Sequence, residues 1–337
     1  MDTPSGAWTI VLASGDGSRL SRLTTTDKGE TIPKQFCSLA SRECLLELAL
    51  RRAAGISSHE QVCTIVAAQH RRWWREPLKG LRPGNIIVQP QNRGTAVGTA
   101  LALLRVEKHD PSATVVLLPA DHYVEDEETL SRSLVELAAA AKDDPLSVYL
   151  LGAQPDAPDS ELGYIVPLGK DPNVRTVAKF VEKPSLDDAG KLMAEGALWN
   201  MFIVAGSASG LLSMLESSYN FVAPMRIASA EPAVVGGLSR LYEDLPAVDL
   251  SRDVLAHFPQ KLKVLSVPHC GWTDLGTPKR VAATVRKGRA GHGAPASPAM
   301  YWDLAKSVGA TQVRHPQLGT AKKQLRPIRG FCCIECH

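Results

Sequence analysis

The first apolar segment of the chain, Trp8–Ala13, runs directly into the glycine-containing turn Ser14–Ser18. A short run of apolar and β-branched residues is typical of a strand buried in a parallel sheet. Glycine accepts dihedral angles that other residues avoid and lets a ligand approach closely, so this turn can direct backbone N–H groups into one concavity. Arg19 and Lys34 add positive charge. The pattern predicts a strand followed by a cradle for a polyphosphate.

Two well-known glycine motifs do not match this turn. A P-loop requires a lysine shortly after its second glycine, and no lysine follows Gly17 at that offset. A dinucleotide-binding fingerprint requires a third glycine, and Leu20 stands in its place. Without further residues, a plain strand-to-helix connection explains the turn equally well.

Apolar runs alternate with amphipathic segments through the first half of the chain, which predicts an α/β fold with a parallel sheet covered on both faces. In such sheets ligands bind beyond the carboxyl ends of the strands, so the glycine turn and Asp121 should share a pocket. We expect a Rossmann-like mixed, mainly parallel sheet flanked by helices. The predicted strands are Val62–Ala68, Asn85–Gln89, Thr114–Pro119, Ser147–Gly152, Gly163–Leu168, Val174–Val181, Ala197–Ala205 and Leu262–Val267, and the predicted helices are Cys44–Ala54, Gly94–Lys108, Glu127–Lys142, Ser207–Ser217, Pro224–Tyr242 and Pro278–Lys287.

Composition excludes several classes of protein. The 337 residues, 44% hydrophobic and 22% charged, are ordinary for a soluble globular chain. A net charge of +3 is too small to indicate a nucleic-acid or anionic-membrane partner. No apolar run reaches the ~18 residues of a membrane span, and Met1–Gly6 lacks the features of a signal peptide. The scattered cysteines fit reduced thiols, so we expect a cytoplasmic protein.

The composition of the sequence changes at Gly288: glycine, alanine and proline become frequent, and the periodic spacing of apolar residues stops. We therefore predict a folded catalytic domain over residues 1–287, and a linker with a short, poorly ordered tail over residues 288–337. The tail ends in Cys332–His337, which contains three cysteines and a histidine. These are zinc-type ligands, but the usual spacers are missing, which favours an incidental terminus.

Polar residues stand at the ends of several predicted strands. Asp121 follows one strand, and Asp274 lies between a strand and a helix. Either could simply cap a helix, whereas two carboxylates converging on a phosphate pocket would bind Mg²⁺. Lys183 could be a solvated charge or could bind a second phosphate. Asn200 could hydrogen-bond a polyol.

Seven landmarks of this chain, in this order, resemble those of the sugar-1-phosphate nucleotidylyltransferases, and most closely the mannose-1-phosphate guanylyltransferases. Together they span most of residues 8–285, which makes the set far more specific than any one motif. The landmarks are Ser14–Leu20 with Pro33–Phe36, Gln89–Ala96, Leu118–Tyr123, Leu162–Ile165, Phe180–Pro184, Ala197–Asn200 and Trp272–Pro278.

The resemblance implies a fold of the nucleotide-diphospho-sugar transferase type and transfer of a nucleoside monophosphate to a sugar 1-phosphate with release of pyrophosphate. It favours GMP from GTP and mannose 1-phosphate, with Mg²⁺ as cofactor. Because two anions must meet in this reaction, catalysis depends mainly on charge neutralisation and in-line positioning.

The resemblance also assigns roles to residues. Arg19 would bind the leaving pyrophosphate, Lys34 would stabilise charge at the α-phosphate, and Lys183 would bind the acceptor phosphate. Asp121 and Asp274 would bind Mg²⁺. The sugar-phosphate-binding residues would be Gly163, Glu182, Lys183 and Asn200. The nucleotide-binding residues would be Leu12, Ala13, Ser14, Gly15, Gly17, Ser18, Gln89, Asn92, Gly94 and Thr95, with Gln89 and Thr95 facing the base.

The chain departs from the family pattern at four places. Ser14 replaces a glycine, Ser18 replaces a threonine, and Ser21-Arg22 stands where the family has Trp-Pro. The polar insertion Thr24–Thr31 lengthens the spacer before Lys34. We expect the insertion to form a flap near the triphosphate. Three alternatives stay open: another base, another sugar or cyclitol 1-phosphate, and a catalytically silent nucleotide-sugar-binding regulatory relative. Homo-oligomerisation is also left open.

Overall fold

The structure, a computed structural model, describes residues 6–38, 43–169, 171, 174–230 and 237–291. These residues form one nine-stranded sheet with the strand order β3-β2-β1-β4-β8-β5-β9-β7-β6. The strands are β1 (Trp8–Leu12), β2 (Val62–Ala67), β3 (Ile86–Gln89), β4 (Thr114–Pro119), β5 (Val148–Ala153), β6 (Gly163–Leu168), β7 (Val174–Glu182), β8 (Leu198–Ser207) and β9 (Leu262–Val267).

The first four strands are parallel, and β1 lies between β2 and β4. Ile10 and Val11 of β1 are fully buried on opposite faces of the sheet, because successive side chains of a strand alternate. Helices cover both faces, so the predicted α/β class is confirmed. The carboxyl ends of β1 and β4 lie side by side at one edge.

The second half of the sheet corrects the expectation of a mainly parallel sheet. Of the nine strand pairings, four are parallel and five are antiparallel, and only β5–β9 is parallel beyond β4. Only five residues separate β6 from β7 along the chain, too few for a parallel crossover, and the two strands pair antiparallel. Strand β6 also pairs with β8, so β8, β5, β9, β7 and β6 close on themselves in a barrel-like arrangement.

The helices largely follow the amphipathic pattern of the sequence. Among the described helices longer than four residues, only α6 was not predicted. The segment predicted as a single helix over Pro224–Tyr242 contains two, α8 and α9, with residues 231–236 outside the described part. The helices are α1 (Ser21–Thr24), α2 (Leu45–Ala54), α3 (Arg71–Trp74), α4 (Gly94–His109), α5 (Glu127–Asp143), α6 (Leu186–Ala194), α7 (Ala208–Ser218), α8 (Val222–Ala230), α9 (Gly237–Asp244), α10 (Leu250–Asp253) and α11 (Pro278–Gly291).

The core consists of two main apolar clusters on the two faces of the sheet. Helices α4 and α7 pack on one face, and α2 and α5 pack on the other. Among the described residues, no helix has the length and apolar character needed to cross a membrane. Residues 292–337, including Cys332–His337, lie outside the described part, so the domain division and the role of that tail stay predictions.

Candidate active site

The glycine turn packs against the segment that carries Lys34. Gly17 has a φ of 64°, and a β-carbon placed on it would lie 2.9 Å from the Lys34 backbone nitrogen. The amide Nε2 of Gln35 donates to the carbonyl oxygens of Ala13 and Gly15, at 2.9 Å and 2.7 Å. These two hydrogen bonds hold the backbone of the turn in place, while Gly15 stays exposed.

Lys34 joins the two predicted metal-binding segments. Its Nζ lies 2.9 Å from Oδ2 of Asp121 and donates to the backbone oxygen of Asp274 at 2.6 Å. Only 7% of the Lys34 side chain is exposed, so both contacts lie in a poorly hydrated environment. Burial by itself would raise the pKa of Asp121, but the charge and hydrogen bond of Lys34, together with the other nearby positive groups, hold that pKa below its usual value.

A backbone bridge brings the two aspartates to the same place. Tyr123 and Thr273 form an isolated antiparallel bridge, with reciprocal N–H···O bonds of 2.9 Å. Asp121 and Asp274 each lie within two residues of this bridge. The convergence predicted from their places at strand ends is therefore present, although the contact is made by loop backbone rather than by adjacent strands.

Oδ1 of Asp274 accepts hydrogen bonds from the Gly276 N–H at 2.9 Å and from the guanidinium of Arg280. Burial acts to raise the pKa of Asp274, but Arg280, together with Lys34 and the Gly276 N–H among others, lowers that pKa below its usual value. The same guanidinium binds Asp159. Sequence reasoning missed both Arg280 and Asp159, since neither falls within a landmark.

His122 is a further buried group beside the two aspartates that sequence reasoning passed over. Burial lowers the pKa of His122 to about 4, so its ring is neutral near pH 7. Its Nδ1 accepts a hydrogen bond from the indole N–H of Trp272 at 3.2 Å, and its Nε2 lies 3.8 Å from Oδ1 of Asp121. A neutral ring that accepts at Nδ1 carries its proton on Nε2. That proton therefore faces Asp121.

Asp121 and Asp274 have the chemistry of a magnesium site. Both lowered pKa values keep the carboxylates ionised at neutral pH, and Mg²⁺ prefers such oxygen ligands. In the part of the chain that the structure describes, no cluster of three or more His, Cys, Asp or Glu residues could hold a metal. A pair of carboxylates still fits Mg²⁺, because this ion commonly completes its shell with water and substrate phosphates.

The exposed aspartate within the glycine turn is bound by residues that follow two neighbouring strands. Oδ1 of Asp16 lies 3.2 Å from His70 Nε2 and accepts from Gln69 at 3.3 Å, and Oδ2 accepts from Asn92 at 3.1 Å. Asn92 in turn accepts from the Gly94 N–H at 3.0 Å. Asp16 thus links the phosphate side of the predicted site to the start of α4.

The residues predicted to face the base are engaged within the protein. Gln89 is fully buried, and its Oε1 accepts from the Tyr242 hydroxyl at 3.2 Å. The hydroxyl of Thr95 accepts from the Leu250 N–H at 2.8 Å. Gly94, with a φ of 84°, packs so closely on Val248 that a β-carbon would lie 2.3 Å from its carbonyl oxygen. Contact of Gln89 and Thr95 with a base stays a prediction.

The residues predicted to bind the sugar come together where β6, β7 and β8 meet. Gly163 is in register with Glu182, and a β-carbon on it would lie 2.5 Å from the Glu182 carboxylate and 3.3 Å from Asn200 Cβ. Asn200 is buried and donates to the Ser251 hydroxyl at 3.3 Å. Burial and then the charge of Asp249 raise the pKa of Glu182 to about 7.

Two of the predicted phosphate-binding cations lie at the exposed rim. Lys183 is exposed and has a φ of 49°, an uncommon conformation for a residue with a side chain. Arg19 is also exposed and forms an ion pair of 2.9 Å with Glu161. Exposed pairs of this kind contribute little to stability, so an anionic ligand can compete for Arg19.

The insertion Thr24–Thr31 forms a closed loop. Thr25 and Thr31 form a bridge, and the Thr26 N–H donates to the Glu30 carbonyl at 2.8 Å. Glu30 pairs with Arg72 of α3 at 2.8 Å. The insertion is therefore docked on α3 rather than extended as a free flap, and its proximity to a triphosphate stays a prediction.

With this geometry in place, comparison with known proteins identifies the family. A family model described as nucleotidyl transferase matches residues 8–287. The chain belongs to the nucleotidyl transferase family. The match covers all nine strands and every predicted site residue, so the family predicted from the seven landmarks is confirmed.

Three relatives of this nucleotidyl transferase are informative. The xanthan biosynthesis protein XanB of Xanthomonas campestris pv. campestris (strain B100) is 28% identical over 286 residues, which cover 80% of this chain and 57% of that protein. A mannose-1-phosphate guanylyltransferase of Escherichia coli (strain K12) is 29% identical over 297 residues, which cover 81% of this chain and 58% of that protein. The chain thus spans little more than half the length of these relatives.

The third relative is a solved structure, described as mannose-1-phosphate geranyltransferase from Thermus thermophilus. It superimposes with a TM-score of 0.70 at 26% identity, covering 80% of this chain and 76% of that one. The shared architecture supports the mixed, partly antiparallel sheet as the fold of the family.

Proposed function

We propose that this protein transfers a nucleoside monophosphate from a nucleoside triphosphate to a sugar 1-phosphate and releases pyrophosphate. The observation that carries the proposal is the position of Lys34, which is buried between Asp121 and the backbone of Asp274 and lies beneath the glycine turn. The buried ammonium group of Lys34 and the ionised carboxylates of Asp121 and Asp274 lie at the glycine turn, which is the predicted phosphate-binding site. This arrangement suits a reaction between two phosphate anions.

In the proposed reaction, an oxygen of the sugar phosphate attacks the α-phosphorus. The bond from that phosphorus to the oxygen of the β-phosphate breaks, and pyrophosphate leaves. Lys34 stabilises the negative charge that develops at the α-phosphate, and Arg19 neutralises the leaving pyrophosphate. Asp121 and Asp274 would hold Mg²⁺, which supplies further charge neutralisation when bound. Lys183 would receive the acceptor phosphate, with Gly163, Glu182 and Asn200 at the sugar.

As the finer assignment we propose GTP and mannose 1-phosphate. It is supported by the order of the landmarks and by the name of the 29% identical relative from Escherichia coli. The competing assignment is the same chemistry with another base or another sugar or cyclitol 1-phosphate. Choosing between bases depends on a few hydrogen bonds within the pocket, and Gln89 and Thr95 are the residues proposed to face the base.

The test is pyrophosphate release by the full-length protein across a matrix of nucleoside triphosphates and sugar 1-phosphates, with and without Mg²⁺. We expect the highest kcat/KM for GTP with mannose 1-phosphate, and dependence on the cation. Best activity with another triphosphate would overturn the guanylyl assignment and leave the reaction class intact. If no pair of substrates gives pyrophosphate release while nucleotide sugars still bind, the protein would instead be a catalytically silent regulatory relative.

A further inference from the structure

Arg280, in the first turn of α11, binds two carboxylates at once. One Nη atom contacts Oδ1 of Asp274, and the other contacts Oδ2 of Asp159. Only 17% of the Arg280 side chain is exposed. The planar guanidinium presents its N–H donors in a fixed fork, so a residue held at both ends in this way has little freedom to rotate.

The contacts of Arg280 define which oxygen of Asp274 is free. The Gly276 N–H and Arg280 both bind Oδ1 of Asp274. The other oxygen, Oδ2, takes part in neither bond and would be the oxygen that can ligate a bound cation. A carboxylate that ligates a metal is commonly held by a second hydrogen-bonding group in this way, and loss of that group costs about 10–100-fold in metal affinity or activity.

Asp159 connects the same guanidinium to the segment between β5 and β6. Its Oδ1 accepts from the Glu161 N–H at 2.8 Å, and its own N–H donates to the hydroxyl of Tyr164 at 2.9 Å. Glu161 then pairs with Arg19 beside the glycine turn. A continuous chain of polar contacts thus runs from Asp274 to the arginine on the triphosphate side.

We propose that Arg280 is a positioning residue, which orients Asp274 and, through Asp159, couples that orientation to the β5–β6 segment beside Arg19. The inference rests on the proposed function, because it concerns how the same site is assembled. Arg280 itself does not contact the reacting atoms. The positive charge of Arg280 offsets the negative charge of Asp274, and the geometry of the guanidinium selects the rotamer of Asp274.

The experiment compares Arg280→Gln, Arg280→Lys, Asp159→Asn and the double variant Arg280→Gln/Asp159→Asn in the full chain. We expect Arg280→Gln to lower kcat by about 10–100-fold and to raise the Mg²⁺ concentration needed for half-maximal rate, with KM for the sugar 1-phosphate nearly unchanged. Arg280→Lys retains the charge but loses the fork, and should fall between Arg280→Gln and the wild type.

A second readout does not depend on turnover. The Mg²⁺-dependent rise in melting temperature is measured with a non-hydrolysable nucleoside triphosphate, and we expect it to shrink in Arg280→Gln and Asp159→Asn. The double variant should match Arg280→Gln alone, because both substitutions break the same connection. The control is Arg286→Gln, an exposed arginine on the same helix, which should behave as the wild type in both assays.

Two results would overturn the inference. One is an Arg280→Gln protein that melts at a lower temperature yet keeps the wild-type kcat and Mg²⁺ dependence, which would mean a purely structural role. The other is a double variant in which the fold-loss of kcat equals the product of the losses in Arg280→Gln and Asp159→Asn. An inactive wild-type protein would instead count against the proposed function, so the two failures are distinguishable.

Discussion

Gly17 and Lys34 touch through their backbones: a β-carbon on Gly17 would lie 2.9 Å from the Lys34 nitrogen and 3.2 Å from its Cβ. The glycine turn and the lysine are therefore one structural unit, although the insertion Thr24–Thr31 separates them in the chain. The φ of 64° at Gly17 and the close contact both require the absence of a side chain. Any larger residue requires the turn or the Lys34 backbone to shift.

This contact leads to the first prediction. Gly17→Ala should lower the free energy of unfolding by about 1 kcal/mol or more, because of the positive φ and the clash with Lys34. It should also reduce kcat, measured by pyrophosphate release. Gly15→Ala is the matched control for folding, since its β-carbon would meet nothing within 4 Å. Equal melting temperatures for the two variants would contradict the prediction.

The second prediction concerns the paired carboxylates. Asp121→Asn and Asp274→Asn should each lower kcat by at least about 100-fold, because each removes a carboxylate ligand of the proposed Mg²⁺, whose positive charge would act on the transferred phosphate. The fold should persist, as judged by circular dichroism and melting temperature. Asp143→Asn, at the exposed end of α5, is the control and should retain activity. Near-normal turnover in either aspartate variant would remove that residue from the proposed magnesium site.

The third prediction uses the pKa of Glu182, which burial and Asp249 raise from 4.5 to about 7. Between pH 4.5 and about pH 7 the folded protein binds a proton that the unfolded chain has released. The contribution of this carboxyl group to the free energy of unfolding therefore falls as the pH rises through that window. Glu182→Gln removes the titration. We expect the variant to gain stability relative to the wild type between about pH 5 and about pH 8, measured by urea unfolding.

The same carboxyl group should influence binding of the acceptor. An ionised Glu182 beside Gly163 and Asn200 adds negative charge near the proposed sugar-phosphate site, so KM for the sugar 1-phosphate should rise above the pKa of Glu182, about 7. In Glu182→Gln that rise should disappear. A pH profile of KM identical in the two proteins would argue against a place for Glu182 at the acceptor.

The fourth prediction concerns Asp16, which is held by Gln69, His70 and Asn92. Asp16→Ala removes all three contacts and should raise KM for the nucleoside triphosphate at least about fivefold, equivalent to about 1 kcal/mol, the net contribution of one hydrogen bond. KM for the sugar 1-phosphate should change less. Asp27→Ala, an exposed carboxylate of the insertion, serves as the control. A lower KM in Asp16→Ala would show that charge repulsion outweighs the positioning of the turn.

Much of the fold could be predicted because its signals are local. Three strands, Thr114–Pro119, Gly163–Leu168 and Leu262–Val267, are found with the predicted bounds. Helix α6 escaped prediction although Ser185 caps its first turn by accepting from the Asp188 N–H. Its nine residues bury only the side chains of Ala189 and Leu192, so few of them belong to the core.

The candidate site was predicted in its parts but not in its connections. Asp121 and Asp274 do converge, as their places at strand ends suggested, and Lys34 contacts both segments. Arg280 and Asp159 lie outside the landmarks, and His122 lies within one without a predicted role, so their roles became apparent only from the contacts they make. Gln89 is buried against Tyr242, and its contact with a base stays a prediction.

The sequence by itself determined the α/β class, the glycine turn after β1 and the membership of the nucleotidyl transferase family, since these depend on runs of neighbouring residues and on landmark order. Only the tertiary structure decided that the sheet turns antiparallel and closes on β8, and that Lys34 reaches the backbone of Asp274 across 240 positions. Such contacts depend on how strands and loops pack in three dimensions, and that packing leaves no periodic trace in the chain.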